Sequence, residues 1–70
     1  MAEVRAPMSG NIWKVLVKVG DQVQADHELL VMEVMKMEVP VTAPGGGVVK
    51  SLAVKEEDAV EADDLLAVLE

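Results

Sequence analysis

A single lysine, Lys36, stands at the middle of the chain between two methionines, Met35 and Met37. A free lysine amine has a pKa of about 10.4, so at neutral pH it is protonated and a poor nucleophile. Chemistry on such a lysine needs an activated reagent from another protein. Methionine side chains are flexible and polarizable, which suits them to a surface that a partner contacts. An exposed lysine alone is ordinary, and methionines beside it are more often gap-filling core residues. The position of this trio at the midpoint favours a site that a partner recognises, and residue chemistry alone leaves both interpretations open.

The sequence on either side of this trio is a duplication. Residues 6–33 align without a gap on residues 43–70, at an offset of 37, and 12 of the 28 positions are identical. The identical pairs include Gly10 with Gly47 and Val17 with Val54. Two copies of one supersecondary unit are therefore expected, related by a pseudo-two-fold axis, and Lys36 lies in the connection between them.

Alternation of residue types predicts short β-strands in both copies. We assign strands to Ile12–Val19, Glu28–Val34 and Leu65–Leu69, because β-branched residues alternate or cluster there between turn residues. No apolar stripe of helical period continues for ten residues, and glycine and proline recur every few positions. The prediction is an all-β domain over residues 1–70, with seven or eight short strands packed as a sandwich or flattened barrel.

The core is predicted from the same alternation. Val15 and Val17 in the first copy match Leu52 and Val54 in the second, so we expect these four side chains to be buried in symmetry-related pairs. Trp13 shares the parity of Val15 and is expected in the core or covering a strand edge.

The connection at Lys36 is predicted to be a hairpin with a two-residue turn at Met35 and Lys36. Such turns need positive φ at both positions and prefer asparagine, aspartate or glycine, which are absent here. The same register sets Glu33 opposite Glu38, a like-charge pair that costs stability on a sheet. Two locally unfavourable choices beside one lysine favour a functional site.

Composition excludes several classes of function. The chain carries 13 acidic and 6 basic residues, a net charge of −7, which disfavours binding to nucleic acid or to anionic membranes. It has no cysteine, so it has neither disulfides nor thiolate metal ligands. The longest apolar run is only Leu29–Met32 and the N-terminus lacks a signal pattern, so we expect a soluble, non-exported protein. A free-standing protein and an excised domain both fit.

No catalytic residue or metal ligand is predicted. His27 is the only histidine and has no ligand partner at recognisable spacing, so we expect a solvated surface residue. The acidic run Glu56–Asp58 is expected to be a solvated turn. With no nucleophile–base pair or phosphate-binding loop, the chain is not expected to be an enzyme by itself.

The stretch Glu33-Val34-Met35-Lys36-Met37 resembles the biotin attachment motif of biotinyl domains, usually Glu-Ala-Met-Lys-Met, found in biotin carboxyl carrier proteins and biotin-dependent carboxylases. The likeness covers essentially the whole chain. It includes the corner segments at residues 6–10, 19–23 and 43–47. The resemblance implies a flattened β-barrel of two four-stranded antiparallel sheets, with the modified lysine on the hairpin turn and the termini at the opposite end.

The resemblance also implies cofactor, partners and site. Biotin would be attached to Lys36, and Glu33, Val34, Met35 and Met37 would be the flanks that biotin protein ligase recognises. The biotin would carry a carboxyl group between a biotin carboxylase and a carboxyltransferase. The expected location is the cytoplasm, or the mitochondrial matrix if the chain is part of a larger eukaryotic carboxylase.

Three departures and two alternatives accompany this interpretation. Val34 replaces the usual alanine, Glu57 stands where the first copy has Gly20, and alanines at 25 and 62 replace frequent glycines. A lipoyl carrier shares the implied fold but usually has Asp-Lys-Ala at the hairpin, so the methionines favour biotin. A structural barrel-sandwich of membrane adaptor proteins commonly carries a helical insertion in the hairpin, which is absent here.

Overall fold

The chain forms eight β-strands and no helix in the computed structural model, which describes all 70 residues. The strands are β1 (Ala2–Arg5), β2 (Gly10–Val15), β3 (Gln22–Val23), β4 (Glu28–Val34), β5 (Met37–Thr42), β6 (Gly47–Leu52), β7 (Ala59–Val60) and β8 (Leu65–Leu69). They form two four-stranded antiparallel sheets, with strand orders β1-β8-β6-β3 and β5-β4-β2-β7. The all-β prediction is confirmed, as are the bounds of β4 and β8.

The two sheets are built from equivalent strands. Adding 37 to the residue numbers of β2 and β3 gives those of β6 and β7, and the first residue of β4 corresponds to the first residue of β8. The same offset converts the strand order of one sheet into the strand order of the other. All of the buried residues are apolar, and 14 of the 15 form seven pairs at this offset, with Val17 the remaining one. The pairs are Val4/Val41, Ala6/Ala43, Ile12/Val49, Val23/Val60, Leu29/Leu66, Leu30/Ala67 and Met32/Leu69.

Bulges explain why consecutive residues are buried together. Ladder pairing of β4 with β5 skips Leu29, and pairing of β1 with β8 skips Leu66. A bulge inserts one residue without a partner and so changes which face the next side chain occupies. Leu29 and Leu30 are therefore both fully buried, although strict alternation would expose one of them.

A bulge also corrects the predicted parity of the first long strand. In β2 the partners pass from Ile12–Met32 to Lys14–Val31, so Trp13 is the extra residue. Ile12 is 1% exposed, whereas Trp13 is 43% exposed, with the Lys14 ammonium 5.1 Å from its ring centroid. The expectation of Trp13 in the core is wrong. The strand also begins earlier and ends earlier than predicted, at Gly10 and Val15.

The four predicted core residues lie on the interior side but are not equally buried. Val17 is buried, while Val15, Leu52 and Val54 are half-buried and pack against the edge of the core. These three line a surface groove together with Lys55 and Glu56. The prediction of four buried side chains is therefore wrong for three of them, because Val15 and Leu52 are the last residues of β2 and β6 and, with Val54, face the groove at the edge of the core.

Two glycines bring neighbouring strands into close approach. A Cβ on Gly10 would lie 2.7 Å from the Glu33 carbonyl oxygen and 2.8 Å from Val34 Cγ2. The equivalent Cβ on Gly47 would lie 2.8 Å from the Glu70 carbonyl oxygen. Since any other residue would collide there, these identical glycines are explained by packing. The structure contains no helix that could cross a membrane.

Candidate functional site

The connection between β4 and β5 is a two-residue turn. Val34 pairs with Met37, and the intervening Met35 and Lys36 have φ values of 50° and 65°. Both residues are in the left-handed region, as a type I′ hairpin turn requires, because that turn matches the right-handed twist of the strands. The predicted positive φ is confirmed. A side chain held there costs roughly 1 kcal/mol per residue, and the surrounding β4–β5 ladder offsets that strain.

Lys36 projects from this turn without a partner. It is exposed, and none of the ion pairs or side-chain hydrogen bonds of the structure involves its Nζ. Met35 is 91% exposed and Met37 is 66% exposed. The amine is therefore reachable from solution, and two large apolar side chains beside it are left uncovered.

Acidic side chains lie along the strands below the lysine. Glu33 pairs directly with Glu38, as predicted, and Asn11 of β2 pairs with Glu33 from the other side. Residues directly opposite on a sheet share a face, so these three side chains form one outward row. The like-charged pair costs stability but places negative potential next to the amine.

The base of the hairpin packs against the start of β2. Gly10 approaches Glu33 and Val34. The loop before Gly10 carries a further exposed methionine, Met8, which is 41% exposed. Sequence reasoning recognised the corner but did not connect it with the lysine. The signal was the identity of Gly10 and Gly47, which marks a close approach in both copies.

The acidic run Glu56–Asp58 forms a turn in which Glu56 and Glu57 are exposed, in agreement with the prediction, and two of its side chains accept backbone hydrogen bonds. Asp58 accepts a hydrogen bond from the Lys55 N–H at 3.0 Å, and Glu56 accepts one from the Val15 N–H at 3.3 Å. Glu57 takes the positive φ of 76° that its equivalent, Gly20, takes at 98°. Both copies therefore have a left-handed backbone conformation at this position, and in the second copy Glu57, which is not a glycine, bears the strain of that conformation.

Glu57 also joins the site from the second copy. It lines a shallow depression of about 290 Å³ with Asn11, Ile12, Trp13 and Glu33, below the hairpin. The alignment of Glu57 on Gly20 was the available signal, because Gly20 occupies the corresponding turn near β6.

The only histidine of the chain is not part of a metal-binding cluster. His27 is exposed next to a turn, and no group of three or more His, Cys, Asp or Glu side chains is arranged to hold a metal ion. The arrangement as a whole offers one free amine on a rigid two-residue turn, flanked by methionines. It can present a covalently attached group.

Comparison with protein families gives one match over nearly the whole chain. Residues 2–69 match the biotin/lipoyl attachment family, described as biotin-requiring enzyme. The biotin/lipoyl attachment protein of Bacillus subtilis is 46% identical over 63 residues, covering 90% of this chain and 86% of that protein. The biotinylated protein TB7.3 homolog of Mycobacterium leprae is 41% identical over 70 residues, covering 99% of each.

Solved structures agree with the fold. The Kluyveromyces lactis urea carboxylase superposes with a TM-score of 0.93 and 36% identity, covering 99% of this chain but 6% of that protein. The lipoyl domain of the Azotobacter vinelandii 2-oxoglutarate dehydrogenase complex superposes with a TM-score of 0.84 and 25% identity. The match covers 100% of this chain and 96% of that domain. The chain thus spans nearly all of the small relatives and a small part of the large carboxylase.

Proposed function

The chain belongs to the biotin/lipoyl attachment family, and from this premise we propose that it is a biotin carrier with biotin attached to the Nζ of Lys36. The observation that carries the proposal is the unpaired lysine on a positive-φ turn, exposed between Met35 and Met37. The site fits such a group, because the amine is free and no side chain covers the space around it. The similarity to carboxylase regions and to a biotinylated relative supports the same assignment.

The residues of the chain contribute position. The turn holds the Lys36 amine away from both sheets, and no hydrogen-bonding base lies against it, so activation of the incoming carboxyl group falls to a biotin protein ligase. Amide formation joins Nζ to that carboxyl carbon, breaks the bond to the activating group that the ligase supplied, and releases protons from the ammonium, so the positive charge of the lysine is lost. Met35, Met37, Val34 and Glu33 supply the surface that the ligase reads.

Attached biotin supplies a ureido ring that carries a carboxyl group between a biotin carboxylase and a carboxyltransferase. The carrier needs no tight binding to either enzyme, since a tether raises the effective concentration of the attached group at both sites. The net charge of −7 suits brief contacts with basic surfaces on those partners. The proposed location is the compartment of these components, the cytoplasm or, for a eukaryotic chain, the mitochondrial matrix.

A lipoyl carrier is the second candidate, because the family includes both cofactors and a lipoyl domain shares the fold. The hairpin flanks favour biotin. Methionines adapt to an apolar ligase surface, whereas an Asp-Lys-Ala turn presents a charge and a small side chain at the same places.

The test is acylation of the 70-residue chain by purified biotin and lipoyl ligases in competition, followed by intact mass and peptide mapping. We expect one biotin on Lys36, and none in Lys36→Arg, whose fold should be unchanged because the apex side chain is exposed. The variant Met35→Asp/Met37→Ala should lose biotinylation and gain lipoylation. Faster uptake of lipoate by the unaltered chain, or biotin mapped to another lysine, contradicts the proposal.

A further inference from the structure

Two of the four exposed methionines flank Lys36 on the hairpin. Met35 and Met37 are 91% and 66% exposed, whereas Met32, only three residues before Met35, is fully buried. Large apolar side chains left uncovered at one place mark a surface that a partner contacts. With no cysteine in the chain, methionine thioethers are also its only readily oxidised sulfur atoms.

We propose that Met35 and Met37 are oxidative modification sites and that their conversion to sulfoxides slows acylation of Lys36. The inference rests on the proposed biotin carrier function. A peroxide supplies the oxidant: the thioether sulfur attacks one peroxide oxygen, the O–O bond breaks, and an S–O bond forms. The sulfur loses two electrons, and hydrogen peroxide is reduced to water.

The consequence follows from the chemistry of the sulfoxide. Oxidation turns a flexible apolar side chain into a polar, chiral one with a strong hydrogen-bond acceptor. Desolvating such a group in an apolar partner surface without a donor is unfavourable, which corresponds to a roughly tenfold to hundredfold weaker complex. The fold itself is spared, because neither side chain packs in the core and the packed methionine, Met32, is shielded from solvent.

The order of events then matters. Oxidation before acylation slows loading of the carrier, since the ligase contacts both flanks of Lys36. Oxidation after acylation leaves the amide bond in place. The two methionines therefore control loading of the carrier under oxidising conditions, and reduction of the sulfoxides restores it.

The experiment measures initial rates of biotinylation at domain concentrations well below KM, with untreated chain and with chain exposed to hydrogen peroxide. Peptide mapping should find oxygen on Met35 and Met37 while Met32 stays reduced. The ligation rate should fall about tenfold or more, with an unchanged unfolding transition. Treatment with methionine sulfoxide reductases of both stereospecificities should restore the rate without any substitution.

Matched variants separate the sites. Met35→Leu/Met37→Leu keeps apolar flanks and should retain its rate after peroxide, whereas Met8→Leu and Met1→Leu should remain sensitive. Should the double variant be a poor ligase substrate, the reductase experiment on the unaltered chain still decides the matter. An oxidised, folded chain that is biotinylated at the untreated rate overturns this inference alone. An untreated chain that takes no biotin overturns the proposed function as well.

Discussion

The two ends of the barrel are built from equivalent residues, but only one of them is closed by a turn. At the hairpin end, Met32 pairs with Val39 below the Met35–Lys36 connection. At the other end, the equivalent residues Leu69 and Ala2 pair in the same way, where the chain has its last and first strands. Equivalent packing thus supports both ends, and the covalent connection alone creates the site. A duplicated unit has a single central turn, which makes Lys36 unique.

The two copies also differ in a consistent pattern. Their core pairs are all apolar, whereas the turns and the outward bulges differ in charge and size: Gly20 against Glu57, His27 against Asp64, and Trp13 against Lys50. Core positions must fill a shared interior, so they are constrained on both sides. Several turn and outward positions that face water differ between the copies, whereas other exposed pairs, such as Asp26 and Asp63, are identical.

The comparison predicts equal sensitivity of the two cores. Leu29→Ala and Leu66→Ala each remove a fully buried side chain at an equivalent bulge. Each should lower the free energy of unfolding by about 3 kcal/mol, the transfer and cavity contributions together. A domain of this size has a total stability of roughly 4–10 kcal/mol, so urea titration at low temperature is the suitable measurement. If the two losses differed by more than about 2 kcal/mol, the two halves would share one geometry but contribute unequally to the free energy of unfolding.

The close approaches should be unequal. An added Cβ at Gly10 meets the Glu33 carbonyl oxygen and the Val34 side chain, inside the hairpin sheet, whereas at Gly47 it meets only the backbone of Glu70. Gly10→Ala should therefore cost about 2–3 kcal/mol by overpacking, because a backbone carbonyl and a side chain must both move. Gly47→Ala should cost about 1–2 kcal/mol, because only the backbone at Glu70 must move. Thermal unfolding of both variants measures the difference. If Gly47→Ala were the more destabilising variant, the hairpin base would adjust to an added methyl group more easily than the backbone at Glu70.

The strained turns give a smaller test. Gly20 has φ 98°, and no atom lies within 4 Å of the position that a Cβ would occupy there, so Gly20→Ala adds backbone strain alone and should cost about 1 kcal/mol. Glu57→Gly relieves the strain at φ 76° but gives the unfolded chain more freedom, so its net effect should stay within about 0.5 kcal/mol. Denaturant midpoints of the two variants check this asymmetry. A large loss in Glu57→Gly would assign Glu57 a stabilising contact.

The smallest expected effect comes from a missing hydrogen bond. Asp64 accepts a bond from the Glu61 N–H at 2.9 Å, while His27, its equivalent, leaves the Gln24 N–H without a side-chain acceptor. The backbone bonds of the two turns match, at 3.0 Å from His27 N to Gln24 O and from Asp64 N to Glu61 O. His27→Asp should therefore stabilise the domain by about 0.5–1 kcal/mol at neutral pH. His27→Asn is the uncharged control. No gain in either variant would show that the first turn differs in side-chain geometry.

Local signals in the sequence were enough for the all-β class and the hairpin, whereas the two four-stranded sheets were expected from the family resemblance. The bounds of β4 and β8, the absence of helices, the positive φ at Met35 and Lys36, and the Glu33–Glu38 pair all follow from alternation, repetition and turn chemistry. Each of these depends on residues close together in the chain or on the repeat itself. The repeat is informative because a shared core requires both copies to bury the same positions.

Tertiary structure decided what depends on pairing between distant strands. The bulge at Trp13 arises from a shift of β2 against β4, so the alternation within β2 could not show that Ile12 is buried and Trp13 is not. The half-exposed positions of Val15 and Leu52 depend on where the opposing sheet ends. The close approach of Gly10 to Glu33 and Val34 likewise joins segments that lie far apart in the sequence. Register and sheet coverage are relations between segments, and no single segment encodes them.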